Sequence, residues 1–144
     1  TVYVPAGLPD MSLFIFTKSI LEGKPLLVIG DGSQSRDFTY VEDIAGGTVK
    51  ALKKVGFKII NLGSNKPYKL SHLISLIEKY SGKKAKIKYG PFHKADIKDT
   101  RADIREAGKV LQWKPRFNVE AGIKATVEWH KKNRNFLKKL SSSA

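Results

Sequence analysis

Residues 30–44 read Gly30-Asp-Gly-Ser-Gln-Ser-Arg-Asp-Phe-Thr-Tyr-Val-Glu-Asp-Ile44 and connect a short apolar run to a sequence with helical spacing. The segment places one permanent cation, Arg36, on a turn between a predicted strand and a predicted helix. A guanidinium offers a planar fork of donors that matches phosphate oxygens, and it stays charged. We expect Asp37 to orient that guanidinium, and the glycines to let the backbone approach a ligand. A purely structural ion pair between Arg36 and Asp37 is the alternative interpretation.

Predicted strands and helices alternate before this segment. Residues 1–4 are typical of the end of a strand. Asp10 is then expected to cap a helix with a wide apolar stripe, which ends at Gly23. The apolar run 26–29 predicts a short strand that stops at the following glycines.

The same alternation continues after the segment. Thr39 and Glu42 have the spacing of a capping box and predict a helix start. The pair Gly46-Gly47 inside that helix indicates close backbone packing, because each glycine costs about 1 kcal/mol relative to alanine. Residues 58–62 predict another strand.

The remaining elements complete a mixed α/β chain. A helix is predicted to end at Gly82, and residues 86–89 alternate like a half-buried strand. Asp103 is expected to start a short helix, and Asn118 to cap the last one. We expect one domain over residues 1–140, followed by a disordered tail at 141–144.

The composition excludes several classes of protein. Apolar residues make up 41% of the 144 residues, which is too much for a disordered chain. The absence of cysteine excludes a disulfide scaffold, a thiolate metal site and a cysteine nucleophile. The sequence shows no bilayer-spanning apolar run and no secretory leader, so we expect a soluble cytoplasmic protein without membrane contact.

The charge is strongly basic, with 27 Lys and Arg against 13 Asp and Glu, a net charge of +14. Residues 50–94 contain twelve lysines and a single acid, Glu78, and a second basic cluster comprises Lys131, Lys132, Arg134, Lys138 and Lys139. Such patches either attract phosphate-rich partners or simply form a solvated surface that keeps the protein soluble. No basic stripe interleaved with aromatic residues, of the kind that stacks on bases, is present.

Segment 30–44 closely resembles Gly-(Asn/Asp/Lys)-Gly-x-x-x-Arg-Asp-(Phe/Trp)-x-(Tyr/Phe)-Val-x-Asp of the extended short-chain dehydrogenase/reductase family. Five further stretches, in order, are similar to its UDP-glucuronate epimerase branch: Thr1-Val-Tyr-x-Pro-x-Gly-x-Pro-Asp-Met11, Ile60-Asn-Leu-Gly63, Leu73-Ile-x-Leu-Ile-Glu78, Thr100-x-Ala-Asp103 and Trp113-Lys-Pro115. The resemblance implies the C-terminal substrate-binding portion of an extended Rossmann-type NAD-dependent epimerase/dehydratase, an incomplete sheet with helices.

The resemblance also implies a ligand and the residues that contact it. A UDP- or dTDP-linked nucleotide sugar lies against this portion of the family's enzymes. By the resemblance, Arg36 clamps the pyrophosphate, and the strand Leu26 to Ile29, with Val28 at its centre, lies along the base and ribose. Met11 opens the helix that flanks the nucleotide, and Asp96 lies near the ribose and phosphate.

Several positions are weaker candidates or depart from the family pattern. His93 stands where a phosphate-contacting Arg or Gln is common, or is simply a solvated loop residue, and Lys69 is a second phosphate candidate. Thr1 keeps the position that meets the sugar. The uronate branch has an Arg where this chain has Leu8, which favours a neutral sugar over glucuronate. Gln112 replaces a helix-ending Gly and is expected to occupy a left-handed turn.

The family's chemistry belongs to a part of the enzyme that this sequence does not contain. Hydride transfer to NAD uses a Tyr-x-x-x-Lys pair, and a glycine-rich turn seats the cofactor in an N-terminal Rossmann domain. We find neither pattern here, so we expect no catalytic, cofactor-binding or metal-binding residues in this chain. NAD is then the cofactor of the complete enzyme.

Two functions remain open at this point. The chain either binds the nucleotide diphosphate as the substrate half of a sugar epimerase/dehydratase, or it is a degenerate structural or interaction protein. In the second case its basic surface serves an RNA-containing assembly. By the resemblance, the strands predicted at residues 1–4 and 58–62 belong to the edge of the Rossmann sheet. Their unpaired backbone predicts a partner, either the Rossmann half or a second copy in a homo-oligomer.

Overall fold

The computed structural model describes residues 1–54, 56–92 and 96–140, and for residue 140 only the backbone. His93 and the predicted tail at 141–144 therefore lie outside the described residues. The elements alternate between short strands and helices, which confirms the α/β class. In chain order they are β1 Val2–Tyr3, α1 Ser12–Glu22, β2 Pro25–Ile29, β3 Ser35–Asp37, β4 Thr39–Tyr40, α2 Val41–Lys50, β5 Pro67–Lys69, α3 Leu70–Ser81, β6 Lys86–Gly90, α4 Arg105–Leu111, α5 Val119–Lys132 and α6 Arg134–Leu140.

The strands of the described chain form three separate two-stranded sheets. β1 pairs with β4 in parallel, with Val2 opposite Thr39. β2 pairs with β6 in parallel, and β3 pairs with β5 antiparallel, with Arg36 opposite Tyr68. These small sheets agree with the incomplete sheet that the sequence predicts.

The main core lies where α1, α3 and α5 pack against β1 and β2. Alternation along β2 sets its inner face, since Leu26 and Val28 are fully buried while Leu27 and Ile29 are exposed. The helices contribute apolar stripes to the same core, including Phe16, Ile20, Leu73, Ile77, Ile123 and Val127. A second, smaller core joins α4 to the chain through Ala107, Leu111 and Trp113.

Three of the predicted helix caps are wrong. α1 begins only after Met11, so Asp10 lies one residue too early, and no side chain caps this helix. α2 begins after Tyr40, also without a side-chain cap. The Thr39 hydroxyl instead donates to Asp37 Oδ1 at 3.4 Å, because Thr39 belongs to β4.

Asp103 likewise lies one residue before Ile104, the residue that precedes α4, and no side chain caps that helix. The start of α5 and the ends of α1, α3 and α4 follow the sequence closely. Asn118 Oδ1 accepts a hydrogen bond from Ala121 N at 2.7 Å, which confirms the predicted cap of α5. Gly23 and Gly82 end α1 and α3 with left-handed φ angles of 69° and 74°. Gln112, which stands in place of a helix-ending glycine, takes the same left-handed conformation at the end of α4, with φ 49°. This confirms the prediction for that position.

The strand predicted over residues 58–62 is absent from the described structure. A strand needs a neighbour to receive its backbone hydrogen bonds, and none of the described strands runs beside this segment. Ile59 is 75% exposed, and Lys58 forms an ion pair with Glu106 at 2.6 Å. Ile60 and Leu62 turn inward and pack against the smaller core.

Close packing at the two glycines of α2 is confirmed for one of them. A Cβ atom on Gly47 would lie 2.7 Å from Leu62 Cδ1 and 3.1 Å from Trp113 Cε2. A Cβ atom on Gly46 would meet no atom within 4 Å. Gly47 therefore lets α2 approach the smaller core, whereas Gly46 does not.

We predict opposite effects for alanine at these neighbouring positions. Gly47→Ala should lower the free energy of unfolding by about 1–3 kcal/mol, because the new methyl group overpacks Leu62 and Trp113. Gly46→Ala should raise it by about 0.5–1 kcal/mol through helix propensity alone. Urea unfolding measures both, and equal shifts for the two variants would contradict the close approach at Gly47.

Candidate functional site

β3 is held in place by the segment that runs beside it, residues 98–102. Ser35 N donates to Lys98 O at 3.0 Å, and Thr100 N donates to Ser35 O at 3.2 Å. Ser35 also forms a parallel bridge with Asp99. On its other edge β3 pairs with β5, so backbone on both sides fixes the strand that carries Arg36.

Arg36 is half-buried and bonded only to backbone. Its Nη1 donates to Ser35 O at 2.8 Å and to Lys98 O at 3.0 Å. Within residues 1–54, 56–92 and 96–140, no acidic side chain pairs with it, and no described group accepts from its Nε or Nη2. The guanidinium is therefore positioned by two carbonyl oxygens while its charge is not neutralised by a carboxylate.

Asp37 does not orient Arg36, so that expectation is wrong. Adjacent residues of a strand point to opposite faces, and Asp37 is 4% exposed on the inner side. Its Oδ1 accepts from Ser64 N at 2.8 Å, and its Oδ2 accepts from Asn65 N at 3.0 Å and Ala102 N at 2.9 Å. One carboxylate thus connects two distant loops to β3.

The hydrogen bonds to Asp37 also determine its charge state. Burial raises the pKa of this carboxyl, but the Ser64 hydroxyl and the backbone amides of Ala102, Ser64 and Asn65 outweigh burial and hold the pKa below its usual value. Asp37 is therefore ionised at neutral pH, as a structural anchor.

Asp43 anchors a third loop in the same way. This residue, in the first turn of α2, is 2% exposed. Its two carboxylate oxygens accept from Arg116 N at 2.9 Å and Phe117 N at 3.0 Å. Its carbonyl accepts from Trp113 Nε1 at 3.0 Å. Asp37 and Asp43 thus serve the fold, which leaves Arg36 as the ligand-binding candidate of the segment.

The glycine turn before Arg36 is bonded to the start of α3. Gly30 and Gly32 have φ angles of 75° and 78°, which a side chain would strain. Ser71 N donates to Gly32 O at 3.1 Å, and Leu70 N donates to Gln34 O at 3.1 Å. The turn is therefore a fixed structure and not a loose loop.

Three other predicted site residues lie around β3 or the start of α1. Thr1 N donates to Asp37 O at 2.8 Å, which places Thr1 next to β3. Thr1 and Met11 line the same small cavity, and Met11 immediately precedes α1, as expected. Lys69 is exposed and lies opposite Ser35, one residue from the partner of Arg36.

The structure gives less for the remaining candidates. Val28 is fully buried in the core, so its side chain offers no surface to a base or ribose, and Pro25, Leu27 and Ile29 are the residues of β2 that face outward. Asp96 is exposed, two residues before the segment that holds Arg36. His93 cannot be placed, because it lies outside the described residues.

A cavity of about 290 Å³ beside β3 is lined in part by a cationic side chain, Arg101, that the sequence analysis missed. Its lining includes Thr1, Asp37, Asn61, Thr100 and Arg101. Arg101 is exposed, and its Nε donates to Asn65 Oδ1 at 2.8 Å. The signal was available, since Arg101 occupies the open position of the Thr100-x-Ala-Asp103 stretch.

Metal binding and membrane insertion find no support in the described chain. Those residues contain no group of three or more His, Asp or Glu side chains that could hold a metal ion. None of the helices they form is both long and apolar enough to cross a bilayer.

Comparison with known proteins agrees with this geometry. A sequence model of the NAD dependent epimerase/dehydratase family matches residues 1–63, which include the segment that carries Arg36. The UDP-glucuronate 4-epimerase of Thermodesulfobacterium geofontis (strain OPF15) is 52% identical over 141 residues, 97% of this chain and 44% of that protein. The chain belongs to the NAD-dependent epimerase/dehydratase family.

Solved structures of epimerases share the fold. The UDP-glucuronic acid 4-epimerase of Bacillus cereus, in complex with UDP-glucuronic acid and NAD, gives a TM-score of 0.86 at 38% identity, covering 92% of this chain and 43% of that one. The UDP-glucose 4-epimerase of Thermotoga maritima, with UDP-glucose, gives 0.87 at 29% identity, covering 93% and 44%. The chain thus spans less than half the length of these family members.

Proposed function

We propose that this chain binds the nucleoside diphosphate of a UDP- or dTDP-sugar, as the substrate-binding part of an NAD-dependent sugar epimerase or dehydratase. The observation that carries the proposal is Arg36, half-buried, fixed by Ser35 O and Lys98 O, and without an acidic partner among the described residues. Because the Arg36 guanidinium is already fixed on a rigid strand, it can bind a diphosphate with little further loss of conformational entropy.

Two further cations lie near this strand. Lys69 lies on the strand paired with β3, opposite Ser35, and Arg101 lines the cavity on the Asp37 side of β3. Thr1 lines that cavity as well, at the position where the family resemblance puts the sugar. We propose that the diphosphate lies at Arg36 and that the sugar extends toward Thr1.

The sugar that we propose is neutral. Leu8 is 66% exposed and its side chain cannot pair with a carboxylate. The relative in Thermodesulfobacterium geofontis is named for UDP-glucuronate, whereas the Thermotoga maritima structure contains UDP-glucose. The residue at position 8 favours the second kind of substrate for this chain.

Catalysis and NAD binding belong, in this proposal, to a Rossmann half outside the chain. Apolar side chains at the end of α2 and beyond it support a covering partner: Val49, Leu52, Phe57 and Ile59 are 68%, 83%, 92% and 75% exposed. A second copy of the chain is the other partner that could cover them.

Calorimetry with UDP, UMP and uridine tests the proposed site on the chain itself. Affinity should fall in that order, because each lost phosphate removes charge-assisted hydrogen bonds to Arg36. Parallel titrations with dTDP compare the two bases. Uridine binding as tight as UDP binding would overturn the diphosphate assignment.

The alternative, an RNA-binding structural protein, would depend on the lysines of residues 50–94, and several of these lysines have local partners. Lys50 Nζ donates to Gln112 O at 2.8 Å and Lys53 Nζ to Val110 O at 3.3 Å, so both satisfy carbonyls at the end of α4. Three further lysines pair with acids: Lys58 with Glu106, Lys79 with Glu120 and Lys84 with Glu78. Of the twelve lysines in residues 50–94, three are thus paired with acids, and two more are held by carbonyl oxygens that leave their charge in place.

A further inference from the structure

His130, near the end of α5, is a buried polar residue that the proposed function does not use. It is 1% exposed, and its ring packs edge-on against Phe14, with centroids 4.8 Å apart, and against Trp129 at 5.4 Å. Neither ring nitrogen has a hydrogen-bond partner among the residues that the structure describes. Buried polar atoms are almost always paired, so an imidazole with both nitrogens unsatisfied indicates a missing partner.

The ring is neutral at physiological pH. Burial, with a smaller contribution from the charge of Lys18, lowers the pKa of His130 to about 4. A neutral imidazole presents one N–H donor and one acceptor nitrogen. His130 can therefore hydrogen-bond an anion or a hydroxyl group without itself carrying charge.

His130 lines a cavity of about 240 Å³ between the C-terminal ends of α1 and α3 and the junction of α5 and α6. Leu21 and Leu137 form part of its wall, so the cavity has an apolar surface beside the imidazole. It lies at the opposite end of α1 from Met11, and none of its lining residues belongs to the candidate nucleotide site.

The charges around the cavity are mainly positive. Lys18, Lys83, Lys131 and Arg134 line it, and the one acid, Glu22, already pairs with Lys24 at 2.7 Å. Lys131 Nζ donates to Tyr80 O at 2.8 Å, and Lys83 Nζ donates to Leu21 O. Backbone carbonyls thus hold two ammonium groups at the cavity without neutralising them.

We infer that this cavity is a second binding site, for a small organic anion. The carboxylate or phosphate group of the ligand lies between Lys131 and Arg134, and its compact apolar part lies against Leu21 and Leu137. His130 supplies a hydrogen bond from the buried wall. Apolar surface and unpaired imidazole nitrogens favour an organic ligand over a simple inorganic ion, and the enclosed volume favours a small molecule over a polymer.

Titration of the 144-residue chain with phenyl phosphate, benzoate and benzyl alcohol tests this inference. The three probes share a ring and differ in charge. We expect both anions to bind and to shift the His130 imidazole resonances in NMR spectra, and the neutral alcohol to bind at least about tenfold more weakly. Binding of none of the three, or equal binding of all three, would overturn the inference.

Matched variants locate the site. Arg134→Gln should weaken phenyl phosphate binding about tenfold, while Lys138→Gln, on the same helix but outside the cavity, should leave it unchanged. Equal effects would show only nonspecific attraction to a basic surface and contradict the site. Saturating UDP should not displace the probe, and displacement would mean that no separate site exists. Both variants change exposed parts of α6 and leave His130 in place, so these tests do not depend on whether a substitution of His130 would fold.

Discussion

Arg36→Ala is expected to abolish detectable binding of UDP while the chain stays folded. The side chain donates to Ser35 O and Lys98 O and has no acidic partner among the described residues, so its loss leaves no uncompensated carboxylate there. Removing a charged, two-pronged contact to a diphosphate costs about 3 kcal/mol, which is more than a hundredfold in Kd. Isothermal titration calorimetry measures the change, and circular dichroism checks the fold.

Two further substitutions serve as controls: one separates the charge of Arg36 from its geometry, and the other removes a different exposed guanidinium. Arg36→Lys keeps the charge but loses the planar fork, and should retain only part of the affinity. Arg116→Ala removes an exposed guanidinium from a loop whose backbone, not side chain, is bonded to Asp43, and should bind UDP normally. An unchanged Kd for Arg36→Ala would remove the nucleotide site from this strand and leave only the family relationship.

Asp37→Asn is expected to cause the largest loss of stability, about 2–4 kcal/mol. The amide nitrogen of asparagine would face backbone N–H donors of the 64–65 turn or of Ala102, which leaves buried donors unpaired. Urea unfolding should show a lower midpoint with an unchanged slope. Asp31→Asn is the matched control, because the exposed Asp31 accepts only from Ser33 and its replacement should have a much smaller effect.

The pH dependence of stability gives an independent measure of the same anchor. The folded pKa of Asp37 lies below its unfolded value of about 3.9, so its contribution is present above that pH and is lost as the pH falls through the folded pKa. Asp37→Asn should therefore reduce the loss of stability below about pH 4. Superimposable acid-unfolding profiles for the two proteins would contradict an ionised anchor.

The sequence predicted those features that depend on neighbouring residues. The strands β2 and β6, the helix-ending glycines Gly23 and Gly82 and the Asn118 cap all follow from local patterns, and the structure confirms them. The resemblance of residues 30–44 correctly indicated the family, because the residues that show the resemblance are contiguous in the sequence.

The features that sequence reasoning missed depend on distant partners. The role of Asp37 is set by amides 27, 28 and 65 positions away, so its adjacency to Arg36 was misleading. The predicted strand over 58–62 has suitable residues but no neighbour in the described structure. Val28 appeared to be a ligand contact, but the alternation of β2 turns it into the core.

The anchoring of two loops by one carboxylate also limits where the chain tolerates added length. The amides of Ser64, Asn65 and Ala102 must reach the same two oxygen atoms, so an insertion between 61 and 65 or between 99 and 102 would pull at least one away. Residues 52–54 and 56–58 are exposed and carry no such constraint. Extra residues at these positions would leave the Asp37 anchor undisturbed, but Leu52 and Phe57 belong to the apolar surface that the proposed partner covers, so added length there should weaken that association rather than the fold.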